Sequence, residues 1–239
     1  MLTRAARHRQ QTLRPLPAAG KAGSFNGLRV RCAAATLRRT MDPVIFDFFF
    51  DFSSPYSYLA STQLSGIEGR TGARARLLPI TLGGVRKSTG HQMPPPQQLK
   101  YMAEDTSRWA QKYGVPMHIP AAFPVSTILP LRACVAAIHE GKGEPAMRAL
   151  FRTYWVDGND ISQPEVIEAS LDAADLRGAS FVSRAHVQDI KDELRKNTDL
   201  ALKRGVFGVP TIFVGERSFW GNDRLEFVES ALRQAQLGG

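Results

Sequence analysis

The sequence predicts an α/β chain in which a small sheet, with strands at both ends of the body, is interrupted by an all-helical block. Three observations carry that expectation. Apolar residues alternate along 44–52 ahead of a helix start and a second strand, the middle of the chain repeats apolar residues only at helical spacing, and after Gly205 the period returns to two before a last helix.

Taken in order, Val44, Phe46, Phe48, Phe50 and Phe52 are apolar while the intervening set carries Asp47 and Asp51, which predicts a strand with one dry face. Ser54 suits an N-cap and Pro55 the first helical position, so a helix is expected from Ser54 to near Gly69. Ala75–Leu82 follows as a second strand, with Pro79 moving it toward an edge or a bulge. The Gly- and Pro-rich run 83–98 reads as a long loop. Helices are then expected over Leu99–Tyr113, from about Ser126 to Gly141, from Pro145 to near Gly158, after a Ser162–Glu165 capping box, and along Val187, Ile190, Leu194 and Ala201 to Gly205. Pro210–Val214, a turn at 215–217 and Ser218–Trp220 form a hairpin, and Asn222 caps a final helix through Leu225, Val228 and Leu232. The order β-α-β, helical block, α-β-β-α describes a thioredoxin-like fold with an inserted all-helical domain. Segments 42–82 and 205–239 build the thioredoxin-like part, and 83–204 the insertion, its final helix packing on the sheet.

Charge separates a leader from this body. The 239 residues carry a formal net charge of +9. Residues 1–41 hold Lys21 and Arg4, Arg7, Arg9, Arg14, Arg29, Arg31, Arg38 and Arg39 with no acid, so the body is electrically neutral. The body therefore offers no electrostatic argument for nucleic acid, and no apolar run is long enough to span a membrane. Cys32 and Cys134 form neither a C-x-x-C pair nor a zinc spacing, and they suit a reducing cytoplasmic setting. The leader's composition is similar to a mitochondrial transit peptide. Met41, directly before the first strand, leaves an upstream start or an unaddressed tail equally open.

Three motifs carry chemistry. Ser54-Pro55-Tyr56-Ser57 stands where thioredoxin-type proteins place C-x-x-C at a helix N-terminus. Oxygen at both positions removes dithiol exchange but keeps the anion-stabilising helix end, so the site is suited to hold a thiolate brought by another molecule. Taken alone, Ser54 is simply a cap. Val209-Pro210-Thr211 occupies the place of a cis-proline loop facing that helix end, where an extended peptide such as glutathione pairs with Val209. A trans strand-initiating proline is its plain alternative. Phe219-Trp220-Gly221-Asn222-Asp223-Arg224 brings free helix amides, Asn222 and Asp223 to bear on a charged γ-glutamyl end, or else is a capping sequence beside a buried Trp. His8, His91, His118, His139 and His186 follow no metal spacing, and Cys134 falls on an apolar helix face as a core residue.

Together these strings resemble the 2-hydroxychromene-2-carboxylate isomerase family, kin of kappa-class glutathione transferases in the DsbA-like thioredoxin superfamily, over roughly residues 43–236. The matching strings are Asp51–Ala60, Gly205–Thr211 and Phe219–Leu225, supported by Arg108–Gly114 and Tyr154–Ile161. The resemblance implies that Ser54 is the glutathione-activating catalytic residue, that Val209 pairs with the cysteinyl backbone, and that Trp220, Gly221, Asn222 and Asp223 hold the γ-glutamyl group. On the acceptor side it implies Arg86 or Lys87 where relatives carry a Lys, Pro96-Gln97 where they carry Asn-Arg, and Phe123 where they carry a substrate-facing Tyr. It further implies glutathione as cofactor, a small aromatic carboxylate as substrate and a homodimer. The activity expected is interconversion of 2-hydroxychromene-2-carboxylate-type and trans-o-hydroxybenzylidenepyruvate-type compounds by reversible thiolate addition. A kappa-like glutathione transferase or peroxidase, and a non-catalytic peptide binder on the same scaffold, are the alternatives.

Overall fold

The computed structural model describes residues 42–90 and 94–237. The readings of the 1–41 leader, Cys32, His8 and His91 fall outside them. Strand β1 (Ile45–Phe50) leads to helices α1 (Pro55–Ser61) and α2 (Leu64–Thr71), then to β2 (Arg74–Pro79). Seven helices follow: α3 (Leu82–Thr89), α4 (Pro96–Tyr113), α5 (Ile128–His139), α6 (Gly143–Trp155), α7 (Pro164–Asp172), α8 (Gly178–Arg184) and α9 (Gln188–Lys203). The chain closes with β3 (Thr211–Val214), β4 (Arg217–Trp220), a 3₁₀ turn (Asn222–Arg224) and α10 (Leu225–Leu237).

The sheet order is β2-β1-β3-β4, with β1 parallel to β2 and antiparallel to β3, and β3 antiparallel to β4. Phe48 sits opposite Leu77 on one side and Ile212 on the other. The central place of β1 overturns the expectation of one dry face, because helices cover both sides. Phe46, Phe48 and Phe50 pack with Leu59, Ile67, Val228 and Leu232 in one apolar cluster, while Phe49 joins Leu78, Ile80, Ala201, Val206 and Phe213 in another. The final inserted helix, α9, thus lies against the second face. Phe50, Phe52 and Tyr58 meet Phe151 of α6 at ring distances of 5.7, 4.8 and 6.0 Å, and Trp155 Nε1 donates to the Phe52 carbonyl at 2.9 Å. These contacts seat the helical block at the carboxyl end of β1, where the first helix starts.

A carboxylate inside a central strand needs partners, since an unpaired buried charge is strongly unfavourable. Asp47 takes a two-pronged contact from Arg76 (2.6 and 2.8 Å) and a third from Arg204 (2.6 Å). Arg204 stacks over the Phe213 ring at 3.7 Å and donates to the Gly215 carbonyl, so one acid ties β1, β2, α9 and the hairpin turn together. Replacing Asp47 by Ala is expected to lower unfolding free energy by about 2–3 kcal/mol. That is below the ~3–5 kcal/mol of a fully buried pair, because the Arg76 side chain is 57% exposed and keeps its water. Urea denaturation with an unchanged slope measures it.

Other expectations need correction. The helix from Ser54 breaks at Thr62–Gln63, where the Ser61 and Thr62 hydroxyls donate back to the carbonyls of Tyr58 and Leu59 (2.6 and 2.7 Å). The start of the 83–98 loop is helix α3: Leu82 and Val85 are buried, and Gly84 lets the helix approach, because a Cβ there would lie 2.5 Å from Thr81 Oγ1 and 3.5 Å from Thr198. The Ser162 capping box is not formed; Asp160 accepts from the Ser162 N–H (2.9 Å) and Pro164 opens α7 with Gln163 as N-cap. Helix α8 has no counterpart in the sequence pattern, as its seven residues are too few to show a period, yet Phe181 and Val182 are buried. Cys134 is fully buried and burial pushes its thiol up to about 12, in keeping with a core residue.

Candidate functional site

The site begins at the turn from β1 into α1. Ser54 has extended backbone angles (φ −96°, ψ 114°), and its Oγ accepts from the Ser57 N–H at 3.1 Å while Pro55 takes the first helical position. The same oxygen donates to the Val209 carbonyl at 3.0 Å, across 155 residues of sequence. The Val209–Pro210 peptide is cis, as the motif predicts. Ser57 contributes its backbone: its hydroxyl is buried without a hydrogen-bond partner among the described residues.

Behind Ser54 lies Asp51, 1% exposed. It accepts from the Ser53 N–H and hydroxyl (2.9 Å each), the Leu82 N–H (2.7 Å) and the Thr127 hydroxyl (2.8 Å). Burial pushes its carboxyl above the usual range, and the four hydrogen bonds oppose that shift. One side chain thereby joins the α1 turn, the start of α3 and the cap of α5. Three helix N-termini, with Ser54, Thr81 and Thr127 at their N-cap positions, border one cavity of about 1610 Å³; those of α3 and α5 meet the Asp51 carboxylate, and that of α1 favours an anion in the cavity.

The far wall comes from the hairpin. Trp220, 55% exposed rather than buried, lies 4.8 Å from the Phe207 ring and close over Gly208, where a Cβ would stand 2.8 Å from its Nε1. Gly221 adopts φ +106°, and its N–H donates to the Pro210 carbonyl at 3.0 Å. Asn222 opens the 3₁₀ turn rather than capping α10. It is 2% exposed, and its carbonyl accepts from Tyr113 Oη at 2.8 Å. The Asp223 carboxylate is partly exposed beside Arg224 (3.3 Å).

Ser54, Val209, Trp220, Gly221, Asn222 and Asp223 therefore line a single cavity, joined by Arg86 and Phe123. Lys87 is not with them; it sits exposed on α3, one position beyond the residue that faces inward. Sequence reasoning missed Asp51, Thr127, Tyr56 and Asp105, all in the lining; Tyr56 Oη donates to Asp105 at 2.9 Å. Asp51 left a signal, an acid directly after a run of three Phe. Asp105 left none, since an acid on an amphipathic helix reads as solvated.

A family profile described as a DSBA-like thioredoxin domain matches residues 45–233. A 2-hydroxychromene-2-carboxylate isomerase of Sphingobium xenophagum is 34% identical over 192 residues, covering 78% of this chain and 96% of that protein. The chain belongs to the 2-hydroxychromene-2-carboxylate isomerase family of DSBA-like thioredoxin proteins. A solved structure of a member of this family superposes with a TM-score of 0.69 at 30% identity, covering 80% of this chain and 95% of that one. The glutathione S-transferase kappa 1 of Rattus norvegicus is 26% identical, covering 82% of this chain and 94% of its own length. Isomerase or transferase activity is the class these relatives support. Among the described residues, no three His, Cys, Asp or Glu side chains gather as a metal site, and no helix is long and apolar enough to cross a membrane.

Proposed function

We propose that the chain is a glutathione-dependent isomerase that interconverts 2-hydroxychromene-2-carboxylate-type and trans-o-hydroxybenzylidenepyruvate-type compounds. The observation that carries this reading is Ser54 Oγ, at the N-terminus of α1 and 3.0 Å from the carbonyl that precedes the cis-proline. The residues fit the tripeptide: a hydroxyl and a helix end suit its sulfur, the Val209 backbone its cysteinyl peptide, and Asn222 and Asp223 its charged γ-glutamyl end. Bound there, glutathione would supply a thiolate for reversible addition to the conjugated carbon of the acceptor. Ser54 stays neutral and donates a hydrogen bond toward the sulfur. Arg86 faces the acceptor's carboxylate, and Phe123 forms apolar wall beside it.

Volume supports a site for two ligands. The cavity of about 1610 Å³ exceeds the roughly 300–1,000 Å³ of a pocket for one drug-sized molecule, so tripeptide and acceptor fit side by side. Followed spectrophotometrically, the purified protein is expected to interconvert the two forms only with glutathione present, without net loss of thiol. Equal turnover in its absence would overturn the reading. The kappa relative favours a second one, transfer of the thiol to an electrophile or reduction of a hydroperoxide. Net thiol consumption with chlorodinitrobenzene or a hydroperoxide, and no isomerisation, would put it in first place.

A further inference from the structure

Four donors converge on the Asp51 carboxylate, from three different parts of the chain. Its Oδ1 accepts from the Ser53 N–H and hydroxyl (2.9 Å each) and from the Thr127 hydroxyl (2.8 Å), and its Oδ2 accepts from the Leu82 N–H (2.7 Å). An ionised carboxylate offers about four lone-pair sites, and these donors fill them. At 1% exposure little of it is left for a ligand, so Asp51 acts on the cavity through the residues it holds. Two of them lead to the acceptor side. Leu82 opens α3, and Arg86, which lines the cavity, follows one helical turn later. Thr127 ends the irregular segment that carries Phe123 and stands at the N-cap of α5. Neither element is fixed by its own backbone: α3 contains Gly83 and Gly84, both poor helix formers, and 123–127 has no regular secondary structure.

We propose that Asp51 is a positioning residue for the acceptor: its carboxylate pins the start of α3 and the end of the 123–127 segment to the turn before α1, and so sets where Arg86 and Phe123 stand relative to the thiol side. The identities of the two ligands rest on the proposed function; the tie itself does not. The thiol side depends on the carboxylate less. Ser54 has its own bonds to Ser57 and Val209, and its N–H donates to the Asp51 backbone carbonyl at 3.0 Å, a bond that any residue at 51 retains. Loss of the carboxylate therefore loosens one wall of the cavity more than the other. Asparagine is the sharpest change, because its single side-chain carbonyl replaces only one of the two oxygens. Kept in the Oδ1 place, it saves three hydrogen bonds and turns its NH2 against the Leu82 N–H, donor against donor. Asp51→Asn thus releases α3 and spares the Ser53 turn, whereas Thr127→Val removes the other tie and keeps the carboxylate.

The probes are glutathione and 3-(2-hydroxyphenyl)propionate, an aromatic acid whose saturated chain cannot take up a thiolate. Calorimetry on the full chain measures the first with the free protein and the second with the glutathione-loaded protein, for the wild type and both variants. Asp51→Asn is expected to weaken the aromatic acid by about tenfold or more and glutathione by less than about threefold. Thr127→Val should weaken the acid by about three- to tenfold, again sparing glutathione. Amide hydrogen exchange reads the tie without either ligand: in Asp51→Asn, residues 82–89 should exchange at least about tenfold faster while 55–61 keep the wild-type rate. Equal weakening of both ligands, an unweakened acid in both variants, or unchanged exchange at 82–89 would overturn the proposal and leave the proposed function standing. A glutathione-loaded wild type that does not take the acid would overturn it as well. Should Asp51→Asn fail to fold, Thr127→Val alone decides. Failure of glutathione to bind the wild type would overturn the proposed function, and the exchange comparison would still judge the tie.

Discussion

Ser54→Ala is expected to lower the glutathione-dependent rate by about 10- to 100-fold, the equivalent of a charge-assisted hydrogen bond of roughly 1.5–3 kcal/mol. Three interactions disappear with that oxygen. The proposed sulfur site loses its donor, the Val209 carbonyl loses its partner, and the Ser57 N–H loses its cap. The last two act on stability: removing an N-cap costs about 1 kcal/mol and orphaning a buried carbonyl about as much again. Measuring rate and urea midpoint together separates the effects, because folded variant protein assayed well below its midpoint reports only the first. Ser54→Thr keeps hydroxyl and cap and is expected to recover the stability. An alanine variant with wild-type turnover would leave Ser54 as a helix cap and nothing more.

Gly221→Ala is expected to weaken glutathione binding by about ten- to a hundredfold while leaving the fold in place. At φ +106° and ψ 155° an L side chain is strained by roughly 1–3 kcal/mol. A Cβ would also stand 2.4 Å from Asp223 Oδ1, so the carboxylate must rotate away. That carboxylate is the proposed partner of the ligand's ammonium, which makes the same atom bear the strain and the loss of binding. Calorimetry with glutathione, set beside a thermal unfolding curve, checks both halves. Wild-type affinity in this variant would show that the 220–223 segment does not hold the γ-glutamyl end.

Much of this was legible along the chain because local rules are strong where they apply. A Ser-Pro pair after an apolar strand is a helix start in nearly any context, and Ser54 caps α1 as expected. Glycines and strand periodicity likewise placed the hairpin to within a residue or two. Elements without such signals were missed for physical reasons. Helix α3 contains two adjacent glycines and is held by burial of Leu82 and Val85 and by packing near Thr81 and Thr198, none of which is local. The split between α1 and α2 depends on hydroxyls competing for carbonyls, which residue spacing does not reveal.

By itself the sequence determined the class of fold and the absence of a dithiol at the first helix, since these follow from residue type and nearest-neighbour spacing, and it singled out short strings that the structure gathers along one cavity. Tertiary structure alone decided the rest. It chose Arg86 over Lys87 by the direction each takes from one helix, it buried Asp47 by covering both faces of a strand whose pattern suggests one, and it buried Asp51 among the starts of α1, α3 and α5. It also brought Ser54 within a hydrogen bond of Val209. A contact across 155 residues depends on how the sheet and helical block pack, and no local propensity encodes that distance.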